Sequence, residues 1–182
     1  MTMRIMRYRL IVLMLLLGVG QEIKAQVNRQ AAFIKRVTDT IAYVGVLKCE
    51  LVSRAAYMPR QYIRFDSLRK QCSNEELQTL LAHKSPAVRG YAFWALTERP
   101  EVDLYPLLLR HRRDTKKYAQ LCGCIGSTQT VIDGMLYEYG RSSRFTSDML
   151  VPERKKGMAS LEQASSQRFY RRHRRERHMT RT

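Results

Sequence analysis

Residues 75–96 read EELQTLLAHKSPAVRGYAFWAL, and two helical patterns meet in them at Ser85-Pro86. Before the junction, Leu77, Leu80 and Leu81 form an apolar stripe, Glu75 and Glu76 sit at the positive end of the helix dipole, and Ser73 or Asn74 is placed to cap. After it, Ser85 is the expected N-cap and Pro86 the first helical residue, where a missing N–H costs nothing. Two short helices with so short a turn predict an antiparallel hairpin. At about 100° per residue, Val88, Tyr91, Ala92, Ala95 and Leu96 share one face, within about 80° of Val88, whereas Phe93 and Trp94 lie near 140° and 240°. Gly90, near 200°, leaves room for a neighbouring backbone. A helix apolar on most sides is expected to be sandwiched, with Trp94 buried; the competing reading makes Phe93 and Trp94 an exposed docking surface.

Outward from this hairpin the helical pattern continues. Ile34, Val37, Ile41, Val44 and Leu51 recur at three- and four-residue steps over residues 27–51, with Gly45 marking a kink or an end. Pro59 suits the first turn of a helix that buries Tyr62, Phe65 and Leu68. LYPLLLRHRRD (residues 104–114) carries Leu104, Leu107 and Leu108 inward, and residues 127–140 predict a helix capped near Ser127 or Thr128, with Ile132, Met135, Leu136 and Tyr139 on one face. Residues 114–128 fit either a partner helix or an irregular or extended segment, since Gly123 and Gly126 oppose a long helix. No stretch alternates long enough to predict a strand, so the expected class is all-α.

The ends differ from the middle. Arg4, Arg7 and Arg9 precede an apolar run over residues 10–17, followed by small and polar residues around Ala25, which is the order of a secretory signal peptide over residues 1–25. The run is short for a membrane span, and no Cys follows it to accept a lipid. The expected destination is periplasm or secretion, with no transmembrane span after cleavage. Losing that segment lowers the formal charge from +17 to +14. The remaining chain divides into a helical domain at 26–140 and a basic, partly helical or disordered tail at 141–182. Its last fifteen residues hold seven Arg against one Glu.

The unit at 75–96 resembles a HEAT-like repeat of the kind found in phycobilisome-lyase-related bacterial α-solenoids. The matching residues are Leu77, Leu80, Leu81, Ser85, Pro86, Val88, Arg89, Ala92, Trp94, Ala95 and Leu96. Weaker matches flank it at 57–68 and from Val102 onward, and the unit is also similar to secreted bacterial proteins with YAFWAL-like segments. The resemblance implies a short irregular solenoid that presents a binding surface. It carries over no catalytic residue, cofactor or metal ligand.

Four cysteines, Cys49, Cys72, Cys122 and Cys124, follow the signal segment. Their even number suits disulfides in an oxidising compartment, in any of three pairings; free buried thiols and a metal site are the other readings. The run RHRRDTKK (residues 110–117) reads as a solvated helix end whose cations complement the dipole. In the tail, Arg171, Arg172, Arg174, Arg175 and Arg177 follow Phe169 and Tyr170, a pattern able to hold phosphate-rich polymer through ion release and stacking. The sequence therefore predicts an exported, non-enzymatic scaffold for a protein partner. Its alternative is a binder of lipopolysaccharide, anionic lipid or nucleic acid through the tail.

Overall fold

The computed structural model describes residues 2–179, and the side chains of residues 21–168 except Ile23. The side chains of the Arg and apolar residues of the expected signal segment at positions 4–17, and those of Arg171, Arg172, Arg174, Arg175 and Arg177, lie outside that description. Among the described residues no helix is long and apolar enough to cross a membrane.

The chain forms two compact units, residues 1–40 and 41–182. The first is the long body of helix α1 (Thr2–Val44), where Lys35 and Asp39 make an exposed ion pair one turn apart and Thr38 Oγ1 donates back to Ile34 O at 2.8 Å. The second unit starts with the last turn of α1. That turn closes on Gly45, which takes φ +67° and donates its N–H to Ile41 O at 3.0 Å, a left-handed stop that glycine adopts without a side-chain clash.

Of the two readings of Gly45, a kink or an end, the helix ends there, and beyond it the chain is a strand, β1 (Val46–Val52), which takes in Leu51. Leu47 and Val52 face the core while Leu51 is half exposed, so its helical spacing from Val44 is coincidental. Among the described residues seven helices follow in this unit, α2 (Arg60–Gln71), α3 (Asn74–Leu80), α4 (Pro86–Thr97), α5 (Leu104–His111), α6 (Val131–Arg141), α7 (Arg144–Asp148) and α8 (Pro152–Met179). Between α5 and α6, strands β2 (Lys117–Gly123) and β3 (Ile125–Thr130) form a hairpin, and β1 joins it in parallel to give a sheet ordered β1-β2-β3. The fold is thus mostly helical, as expected, with a small mixed sheet that the all-α expectation lacked. Only Tyr118 of β2 is buried, and the first four residues of β3 are exposed, so neither strand carries the apolar alternation that would announce it.

Helix α4 is the centre. It packs against α2, α3, α6 and the sheet, and buries Ala87 through Phe93, Ala95 and Leu96. Leu77, Leu80 and Leu81 close the α3 side, and the α3 start is a capping box in which Ser73 Oγ accepts from Glu76 N and Glu76 accepts from Ser73 N. Ser85 has the extended backbone of an N-cap, and Pro86 stands at the helix start, but the Ser85 side chain makes no cap bond. Trp94 is half-buried, stacked on Phe65 at 4.5 Å between ring centres, and Phe65 stacks in turn on Tyr91 at 4.8 Å. Phe93 is fully buried, so it takes no part in an exposed docking surface. Each fully buried ring, Phe65, Tyr91 and Phe93, adds roughly 1.5–3 kcal/mol by leaving water. The neighbour that Gly90 admits is a side chain, the Tyr118 ring, rather than a backbone.

Polar bonds bind the sheet to this core. The Tyr91 hydroxyl accepts from Lys48 N at 2.6 Å and donates to Lys48 O at 2.8 Å, and Gln61 Nε2 donates to both Ile41 O and Val46 O. Helix α6 begins at Val131, capped by Thr130 Oγ1, two to three residues beyond the expected cap because Ser127 and Thr128 belong to β3. Arg154 of α8 pairs with Asp103 and Asp148, Arg168 with Asp133, and Met158 and Leu161 are buried.

One charged group sits against the grain of this packing. Burial pushes the Glu138 carboxyl of α6 up to about 6, Glu98 pushes it the same way, and Arg141 opposes. A carboxyl whose folded pKa exceeds its unfolded value costs nothing below the unfolded pKa, and destabilises increasingly as pH rises from about 4.5 through 6. Glu138→Gln should therefore stabilise the fold at neutral pH by about 1–2 kcal/mol and leave it unchanged near pH 4. Urea midpoints at the two pH values measure this, and an equal shift at both would assign the gain to something other than ionisation.

Candidate functional site

The end of α5 gathers charge without neutralising it. Asp103 caps the helix by accepting from Tyr105 N, and Leu104, Leu107 and Leu108 turn into the core. That registration leaves Arg110 on the outer face, and the helix closes at Arg112, whose N–H bonds Leu109 O. Arg110, Arg112, Arg113, Lys116 and Lys117 are all exposed, and among the described residues none of the five is in an ion pair.

The carboxylate that stands among them, Asp114, is taken up from the inside. Arg89 Nη2 donates to Asp114 Oδ1 at 3.0 Å, and Arg89 Nε lies 2.7 Å from Oδ2 as a charge contact without hydrogen-bond alignment. The same guanidinium donates to His83 O and Lys84 O in the α3–α4 turn. Arg89 is thus a buried clamp between that turn and the α5–β2 loop, a role the resemblance did not specify. The loop is held further by Asp114 N to His111 O, Val131 N to Lys116 O and Ile132 N to Asp114 O, at 2.8 to 3.1 Å. His111 is partly buried, and burial, with Arg110 and Arg89 adding, lowers its pKa against the pull of Asp114, which disfavours its charged form.

Between these side chains opens a cleft of about 330 Å³ lined by Leu109, Arg110, Arg112 and Arg113. Three guanidinium groups at a helix end exceed what the roughly half-unit dipole charge offsets, so the cleft attracts anions. Guanidinium forks match phosphate and carboxylate oxygens in pairs, which favours phosphate-rich ligands here. The solvated-face reading of residues 110–117 holds for the cations but not for Asp114, whose engagement by a residue 25 positions away no local pattern signals.

The cysteines separate into three environments. Cys49 of β1 and Cys122 of β2 are joined by a disulfide with Cα atoms 4.8 Å apart. Cys72 is buried, and burial pushes its thiol up to about 11; Cys124 is exposed in the β2–β3 turn. Among the described residues no group of three or more His, Cys, Asp or Glu could hold a metal ion.

The tail helix is fixed near the cationic loop. Asp133, in the first turn of α6, accepts from Ser165 and Arg168 of α8, and the two residues preceding it in sequence bond the carbonyls of Lys116 and Asp114. The chain matches no protein-family model, no curated protein and no solved structure, so the HEAT-like resemblance rests on its own helical pattern.

Proposed function

We propose that this chain is an exported, non-enzymatic helical-repeat protein whose cationic loop at residues 110–117 binds a phosphate-rich anionic polymer, lipopolysaccharide foremost. The observation that carries the reading is the set of five exposed cations, none in an ion pair among the described residues, on a loop whose own carboxylate faces inward to Arg89. The order of residues 1–25 supports export. Helices α3 with α4 and α5 with α6 form neighbouring pairs, with α4 against α6, which supports the repeat reading.

A duplex oligonucleotide serves as a probe of defined phosphate spacing. Five engaged cations give a slope of log affinity against log salt of about −4 to −5, and Arg110→Ser, Arg112→Ser and Arg113→Ser together should reduce its magnitude by roughly 2–3. Competition by lipopolysaccharide then ranks the polymer. A slope that survives the triple substitution but falls on deletion of residues 169–182 would move the contact to the tail. A slope unchanged by both would remove the proposal.

The protein-partner reading draws on Leu51, Tyr57 and Ile125, each at least half exposed and brought to one end of the sheet by the pairing of Val52 with Gly123 and with Tyr57. Capture of a partner that resists high salt and is lost on Tyr57→Ser would favour it.

A further inference from the structure

Three of the four cysteines belong to the sheet and its β2–β3 turn. Cys122 pairs with Ile125 across the β2–β3 hairpin, so Gly123 and Cys124 are the whole of its loop. Gly123 has φ +56°, the left-handed value that a two-residue hairpin turn demands at its first central position and that glycine supplies. The end of β1 is docked on the same turn, with Val52 opposite Gly123 and Ser53 N donating to Gly123 O at 2.8 Å. The free Cys124 thus stands two residues from one sulfur of the Cys49–Cys122 bond, on an exposed turn, while both bonded cysteines are only half-buried. Cα atoms two residues apart in a tight turn are roughly 5–6 Å from each other, inside the span a disulfide bridges.

We propose that Cys124 and the Cys49–Cys122 disulfide form a thiol–disulfide exchange site. The Cys124 thiol gives its proton to water, and the thiolate attacks Cys122 Sγ. A Cys122–Cys124 bond forms as the Cys49–Cys122 bond breaks, and the electron pair leaves with Cys49 as a thiolate that takes up a proton. One disulfide and one thiol are present before and after, so the step needs neither oxidant nor reductant. Its consequence is mechanical. β1 loses its covalent tie to β2 and keeps the ladder at Val46, Leu47 and Lys48, together with the two Tyr91 bonds at Lys48.

The geometry points away from Cys72 as the attacking thiol, because it is buried between α2 and α3 and no sheet residue adjoins it in sequence. In the sequence, Lys48, Arg54, Lys70, Lys84, Lys117 and Arg141 place Cys49, Cys72 and the Cys122/Cys124 pair on three separate tryptic peptides.

The test uses the folded full chain and its Cys124→Ser variant, each incubated at a series of pH values, quenched in acid, alkylated at free thiols and digested. In the wild type, label is expected on Cys49 in a fraction that rises with pH, accompanied by an equal fraction of unlabelled, internally linked Cys122/Cys124 peptide. In Cys124→Ser, Cys49 is expected to stay unlabelled throughout. The proposal is overturned if wild-type Cys49 stays unlabelled at every pH, or if Cys49 is labelled equally in Cys124→Ser, which would trace its release to Cys72 or to incomplete oxidation. Because Cys124 is exposed, its replacement by Ser leaves the core untouched.

Discussion

Arg89→Met is expected to lower stability by about 3–5 kcal/mol, the cost of leaving one member of a buried ion pair alone. The Arg89 side chain is 6% exposed and that of Asp114 17%, so water replaces little of the lost contact. The substitution removes the donor to Asp114 and to two carbonyls of the α3–α4 turn at once, while Asp114 keeps only bonds such as that from Lys116 N at 3.4 Å. Met retains much of the aliphatic stem, so lost packing is a minor part. A second variant separates the causes: Arg89→Met with Asp114→Leu removes both charges, and should recover a large share of the loss because no carboxylate remains stranded. Urea denaturation of the two variants and the wild type measures this. An unchanged midpoint for Arg89→Met would show that the clamp carries no stability, and equal losses in both variants would assign the cost to packing. The same clamp holds the cationic loop, so Arg89→Met should also weaken polyanion binding without removing any of the five exposed cations.

Residues 75–96 were readable because their signals are local and agree. Capping residues, a proline at the helix start and apolar spacing all indicate the same hairpin, and a helix apolar on most sides found partners on most sides. The sheet was only partly legible: Gly123 and Gly126 left residues 114–128 open to an extended reading, but its strands are short, largely exposed and stabilised from elsewhere. β1 is held by Tyr91, 43 residues away, and β2 carries one buried side chain. Apolar spacing cannot separate a helix from a strand over seven residues, and only Gly45 warned of the change. The candidate site was half legible in the same way. The cations of residues 110–117 are visible as a run, but what makes them an unneutralised surface is the distant partner of Asp114. The cysteine pairing was open among three choices until a parallel strand pair placed Cys49 beside Cys122.

Replacing Cys49 and Cys122 together by Ser is expected to cost about 4 kcal/mol, since the cross-link closes a loop across 73 positions and chain-entropy stabilisation grows with the logarithm of loop length. The loop contains α2, α3, α4 and α5, so the constraint acts on most of the helical core when it is unfolded. Reductant applied to the wild type should lower its denaturation midpoint to that of the double variant, whereas Cys124→Ser should leave it in place. A loss well under 1 kcal/mol in the double variant would mean that the unfolded chain is already compact enough for the bond to restrict nothing. These values also bear on exchange at the turn. Moving the bond from Cys49–Cys122 to Cys122–Cys124 keeps the number of disulfides but exchanges a long loop for a two-residue one, so the exchanged form should unfold at the midpoint of the double Ser variant. Stability and redox state are thereby separable in this chain: the first can fall by most of the value of the cross-link while the second stays constant, and a denaturation curve on protein of known linkage distinguishes the two.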